Sequence, residues 1–217
     1  MSSIKWGIIG PGNIAHNFAD GLKESFSGQL IAIASTSEER RRNFGDKYNI
    51  NNAFRFSTYQ DLLNSSEVDA VYISTPHTLH AEWTINAAGK GKHILCEKPA
   101  AINLKEGQQI IEAVRQAGVF YMEGFMYRCH PQIPALLKII KEDRIGQIKK
   151  ITSSFGFDMG IIIPESRLFR KDLAGGAILD VGLYPISFSR LIAGAALGKK
   201  FVNPSSLTAE ARISDTG

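Results

Sequence analysis

Residues 6–15 read Trp6-Gly7-Ile8-Ile9-Gly10-Pro11-Gly12-Asn13-Ile14-Ala15. An apolar run that stops at two closely spaced glycines, followed by a helix-forming stretch over 13–24, predicts a strand, a tight turn and a helix. In such a unit Gly10 permits the reversal, Gly12 removes a side chain that would hold a pyrophosphate off the backbone, and Ala15 lets the helix lie close to the strand. The helix then begins at Asn13 and Ile14 with open N–H groups and a partial positive charge, which suits phosphate. The bland alternative is a structural glycine turn with no ligand.

The same rhythm continues outward. Strand-like runs at 30–34, 70–74, 93–96 and 119–122 alternate with helical patterns at 37–48, 79–88 and 103–117. Strands separated by helices of this length predict a parallel sheet covered on both faces, so residues 1–125 are expected to form a doubly wound α/β domain. Beyond it the pattern changes: a helix over 131–142, a strand over 148–157, a loop over 158–176, a helix over 180–193 and a strand over 206–213. Residues 126–217 therefore read as a truncated α+β domain, because two strands rarely make a sheet that stands alone.

The bulk numbers exclude several classes. In 217 residues, 44% are hydrophobic and 21% charged, which fits a globular chain, and no window approaches the roughly 20 apolar residues of a membrane span. The net charge of +4 is scattered, and the densest basic cluster, Arg40-Arg41-Arg42, follows Glu38 and Glu39, so a nucleic-acid partner is not expected. The start shows no leader pattern, and Cys96 and Cys129 lack metal-type spacing; a cytoplasmic chain with reduced thiols is expected.

The end of the second strand separates two dinucleotides. A carboxylate there would bind the adenosine ribose 2′-hydroxyl and repel a 2′-phosphate. Here Ser35 and Thr36 stand with Arg40 and Arg41 close behind, a set that favours NADP over NAD, although a solvated helix face also explains the arginines. Further along the chain, Cys96-Glu97-Lys98-Pro99 ends a buried strand with two charges, where open α/β sheets bind ligands. His77 and His80 follow another strand; with no carboxylate or cysteine at matching spacing, no metal site is expected.

The glycine turn, Thr75-Pro76-His77 with His80, Glu97-Lys98-Pro99, and Gly175-Gly176 followed by Asp180-Val181-Gly182-Leu183-Tyr184 together resemble the glucose-fructose oxidoreductase, inositol dehydrogenase and MocA family. The likeness spans essentially the whole chain. Tyr184, where inositol dehydrogenases carry histidine, and Glu123-Gly124-Phe125-Met126-Tyr127-Arg128 resemble the dimeric dihydrodiol dehydrogenase side. The resemblance implies a Rossmann domain, catalytic Lys98, Asp180 and Tyr184, a family arginine near the cofactor at Arg167, and cofactor contacts at Thr75, Pro76, His80, Glu97 and Lys98. Tyr127 and Arg128 are expected to line the substrate passage.

The chemistry has its own logic. Taking a hydride from a carbinol carbon requires a base for the hydroxyl proton, and a tyrosine becomes competent if a cation favours its phenolate. Asp180, four residues before Tyr184, would share its helix face, and Pro185 places the motif in a first turn. Without the resemblance, Asp180 reads as an N-cap, Tyr184 as a core aromatic and Arg167 as a surface ion pair. The expectation is an NADP-preferring oxidoreductase acting on a sugar, cyclic polyol or dihydrodiol, homo-oligomeric through an open second-domain sheet. The alternative is a dinucleotide-binding module without turnover.

Overall fold

The computed structural model describes residues 3–211 and 213. The chain divides into two compact units, Met1–Gly124 and Phe125–Gly217. In the first, six strands form one sheet: β1 (Ile4–Ile9), β2 (Gly28–Ala34), β3 (Arg55–Phe56), β4 (Ala70–Ile73), β5 (His93–Cys96) and β6 (Tyr121–Glu123). All neighbours are parallel, in the order β3-β2-β1-β4-β5-β6. The order reverses between β1 and β4, the point where such sheets open a crevice at their carboxyl ends.

Alternation along the strands feeds two cores. Ile8, Ile33 and Tyr72 face α1 (Asn13–Lys23) and α2 (Glu38–Lys47), packing with Ala15, Ala19, Phe44 and Tyr48. Their neighbours Ile9, Ala34 and Ile73 join Leu62 and Leu63 of α3 (Tyr59–Asn64) and Ala87 and Ala88 of α4 (His80–Gly89) on the opposite face, with α5 (Leu104–Ala117) alongside. Local signals set the helix ends: Ser37, Thr58 and Asn103 each accept a backbone N–H of the first turn, and Gly118, at φ +65°, closes α5. The strands and helices expected over 6–122 form, with shifted ends. β3 and α3 were not expected from the pattern.

The second unit contains α6 (Gln132–Lys141), a π-helical turn at Ile178–Gly182 and α7 (Leu183–Ala196). Ile140, Ile192 and Ala195 form its core, with Leu136, Leu137, Ile148, Ile151 and Phe188 packed against them. Here the structure corrects the sequence reading. Residues 148–157 and the described part of 206–213 form no strand, Arg212 lying outside the described residues. A strand exists only where a neighbour completes its ladder, and among the described residues of this unit none does; Ile148 and Ile151 instead dock on the helices. The open sheet expected to drive oligomerisation is therefore absent from the described residues. The helical stretch Lys171–Ala196 is, against expectation, long and apolar enough to satisfy a membrane-span criterion on length and composition alone.

Candidate active site

The β1–α1 turn sits at the reversal point. Gly10 has φ +82°, and a Cβ on it would stand 3.1 Å from the Thr75 backbone nitrogen, so both conformation and crowding demand glycine. Gly12 is different. Its φ of −86° suits any residue, and the nearest protein atom to an added Cβ is Ser74 O, at 4.0 Å. The fold thus leaves Gly12 unexplained, and a ligand lying against the backbone explains it. Gly12 also precedes α1 as an N-cap without a side chain, and the first turn holds no acid, so the first N–H groups, those of Asn13 and Ile14, have no side-chain cap. These features fit a dinucleotide pyrophosphate.

The neighbouring turns are braced around this one. Ser74 Oγ donates to Gly10 O at 2.8 Å. His80, only 1% exposed, sets one ring nitrogen 2.7 Å from Pro99 O and the other 2.8 Å from Thr75 O, so it acts through those two turns. Thr75 Oγ1 is buried with no hydrogen-bond partner among the described residues. Pro76 is exposed beside it. At the end of β5, Glu97 accepts from the Tyr72 hydroxyl at 2.5 Å, Lys98 is half-buried, and Ala100 N–H donates to Glu123 at 2.9 Å. Burial pushes the Cys96 thiol up to about 12, leaving it an inert core residue.

At the end of β2, Ser35 is buried; its hydroxyl accepts Ser37 N–H at 3.2 Å while its carbonyl accepts from Arg41 at 2.7 Å. Arg41 is thereby spent on the backbone. Thr36 and Arg40 are exposed, which leaves them as the groups a 2′-phosphate would meet.

In the second unit, the π-helical turn carries Asp180 into α7, whose first residues include Tyr184 and Pro185, so the motif does open a helix. Asp180 does not cap it: Gly182 holds that position, and the Asp180 carboxylate lies 3.6 Å from Arg167. The loop before it closes on Gly175, where a Cβ would come within 2.8 Å of three carbonyl oxygens, those of Arg167, Leu168 and Arg170. Tyr184 Oη donates to Met126 Sδ at 3.3 Å, and its ring packs edge-on against Phe125 and Phe155. Tyr127 shares a 2.9 Å hydrogen bond with Ser187, and Arg128 donates to both hydroxyls, which ties this pair to α7.

The structure gathers Gly10, Gly12, Thr75, Glu97 and Lys98 at one end of the first unit's sheet, and Arg167, Asp180, Tyr184, Tyr127 and Arg128 around the start of α7 in the second. Sequence reading missed Tyr72, Ser74 and Glu123. Tyr72 had a signal: a phenol inside the otherwise aliphatic strand Ala70–Ile73 needs a buried partner.

Residues 4–125 match the oxidoreductase family with an NAD-binding Rossmann fold, and residues 134–216 match the GFO/IDH/MocA C-terminal domain. The trans-1,2-dihydrobenzene-1,2-diol dehydrogenase of Xenopus tropicalis is 32% identical over 98% of this chain and 62% of its own length. The D-xylose 1-dehydrogenase (NADP(+)) 2 of Haloferax volcanii is 35% identical over 87% of this chain and 57% of its own. Among solved structures, the aldose-aldose oxidoreductase of Caulobacter crescentus superposes with a TM-score of 0.80 at 28% identity, covering 90% of this chain and 58% of that one. The chain spans under two thirds of the length of these relatives. It belongs to the Gfo/Idh/MocA family of oxidoreductases with an NAD-binding Rossmann fold.

Proposed function

We propose that this chain is an NADP-preferring oxidoreductase acting on a CH–OH group of a sugar or cyclic polyol, or on a dihydrodiol. The observation that carries the reading is Gly12, a glycine that neither its backbone angles nor its protein neighbours require, at the uncapped start of α1. When bound, the nicotinamide would supply or accept the hydride. Gly12 and the N–H groups of Asn13 and Ile14 would hold the pyrophosphate, and Thr36 and Arg40 the 2′-phosphate. Relatives named for dihydrodiol and NADP-linked xylose oxidation support the substrate class and the cofactor.

Tyr184 would move the proton of the substrate hydroxyl at its Oη, Asp180 would orient that hydroxyl, and Lys98 would be the catalytic cation of the first unit. Two free cysteines suit a reducing compartment such as the cytoplasm. Exposed apolar side chains in the second unit support self-association.

The test is NADPH oxidation with a panel of sugar ketones and diketones, and the reverse with NADP and the corresponding alcohols. Turnover that falls at least about a hundredfold in Lys98→Met and in Tyr184→Phe, with NADPH still bound, is expected; wild-type turnover unaffected by either change would overturn the assignment. A second reading is a dinucleotide-binding module without turnover, which the unexplained Gly12 at the start of α1 would also fit. Tight NADPH binding with no turnover on any substrate would select it.

A further inference from the structure

Buried Tyr72 and half-buried Glu97 form a pair that the proposed chemistry does not itself use. Tyr72 is 2% exposed on β4, its ring stacked 4.1 Å from Phe18 of α1, and its hydroxyl donates to Glu97 Oε1 at 2.5 Å. Burial, reinforced by the Glu97 charge, pushes the phenol up, so it stays protonated and donating. The second carboxylate oxygen accepts the backbone N–H of Lys98 at 3.3 Å. Glu97 N–H in turn donates to Ile73 O at 2.9 Å, which fixes the backbone from β4 as well.

Space is reserved for this arrangement. A Cβ on Gly124 would stand 3.3 Å from both Glu97 Oε1 and Cys96 O, closer than most side-chain contacts, so glycine there leaves the carboxylate its place. Both oxygens of Glu97 are therefore engaged, one by a side chain of β4 and one by the residue that follows. A carboxylate accepting two hydrogen bonds is a fixed negative charge, and fixing it fixes the peptide that leads into Lys98.

We propose that Tyr72 is a positioning residue: its hydroxyl locks the Glu97 carboxylate and, through it, the Lys98 turn in the conformation that receives the nicotinamide end of the cofactor. This rests on the cofactor reading above and adds a residue to it. A merely structural role for Tyr72 would touch the whole nucleotide site or the stability of the sheet; a positioning role touches only the end beside Lys98.

The test compares binding of NADPH and of 2′-phospho-ADP-ribose, which lacks only the nicotinamide base, in wild type, Tyr72→Phe, Glu97→Met and the double variant. Phenylalanine keeps the stack on Phe18. Tyr72→Phe should weaken NADPH about fivefold, the value of one hydrogen bond, and leave 2′-phospho-ADP-ribose within about twofold. The double variant should bind NADPH no more weakly than Glu97→Met alone, because Glu97→Met already removes the acceptor of that bond. Equal losses for the two ligands, an unchanged NADPH affinity, or losses that multiply in the double variant would overturn the proposal. Should Tyr72→Phe fail to fold, Glu97→Met, which keeps the side-chain length and has no oxygen to accept the bond, decides by the same ratio of ligands. Failure of the wild type to bind either ligand would overturn the cofactor reading, and this proposal with it.

Discussion

Two glycines in one turn have different reasons to be there, and substitution separates them. Gly10 is held at φ +82° with the Thr75 backbone 3.1 Å from where a Cβ would sit, so Gly10→Ala should cost about 1–3 kcal/mol of stability. Gly12 has ordinary angles and open space, and it stands at the N-cap of α1. Gly12→Ser places a good capping residue there, so stability should hold or rise by a few tenths of a kcal/mol. The same side chain would occupy the pyrophosphate's approach and take an N–H meant for it, so NADPH affinity should drop at least about tenfold. Urea melts and fluorescence titrations read the two quantities separately. Stability lost in Gly12→Ser, or NADPH affinity retained, would remove Gly12 as the mark of a ligand.

Between elements, the seam of α1 and α2 carries a pH-sensitive contact. His16 Nδ1 lies 2.9 Å from Tyr48 Oη and 3.4 Å from Lys47 Nζ, with its ring 4.8 Å from Phe44. Burial, then the Lys47 charge, hold the imidazole below its usual value, while Asp20 pulls the other way; Lys23 lies over the Tyr48 ring, 4.7 Å from its centre. A histidine harder to protonate when folded takes up its proton first in the unfolded chain. Stability should therefore fall as pH drops from above the unfolded midpoint, about 6.5, toward the folded one, and level off below it. Urea midpoints at several pH values between neutrality and the folded midpoint should show a shallower slope in His16→Gln; parallel slopes would refute it. The seam itself was legible only in part. Repeating apolar runs revealed five strands of a parallel sheet, because Ile8, Ile33 and Ile73 sit in continuous buried stretches. Arg55–Phe56 and Tyr59–Asn64 escaped because a two-residue strand held by one neighbour leaves no period to read, and the helix after it is under two turns long. The glycine turn and Lys98 were visible as local motifs. Arg167 beside Asp180, and Tyr72 beside Glu97, were not, since pairs separated by 13 and 25 residues follow from tertiary folding rather than spacing.

At the scale of the whole chain, the second unit shows where sequence pattern and structure part. The alternation over 148–157 predicts a strand, yet only its first half is covered: Ile148 and Ile151 pack on the unit's core, whereas Phe155 and Phe157 are 54% and 58% exposed. Met159, Ile161, Ile162 and Ile163 continue the exposed apolar row, with Ile161 at 69%. Single exposed apolar residues are ordinary, but a contiguous run of them marks a surface that associates. The homo-oligomer expected from an open sheet is thus better argued from side chains than from an unpaired strand edge. Light scattering after size exclusion should give a mass above 23.8 kDa that falls toward that value on dilution. Replacing Phe157, Ile161 and Ile162 together by serine removes three exposed side chains outside the unit's core, so the melt should hold while the mass returns to 23.8 kDa. A wild-type chain that already runs at 23.8 kDa at all concentrations, or a triple variant that associates as strongly as wild type, would show that this row does not join copies of the chain.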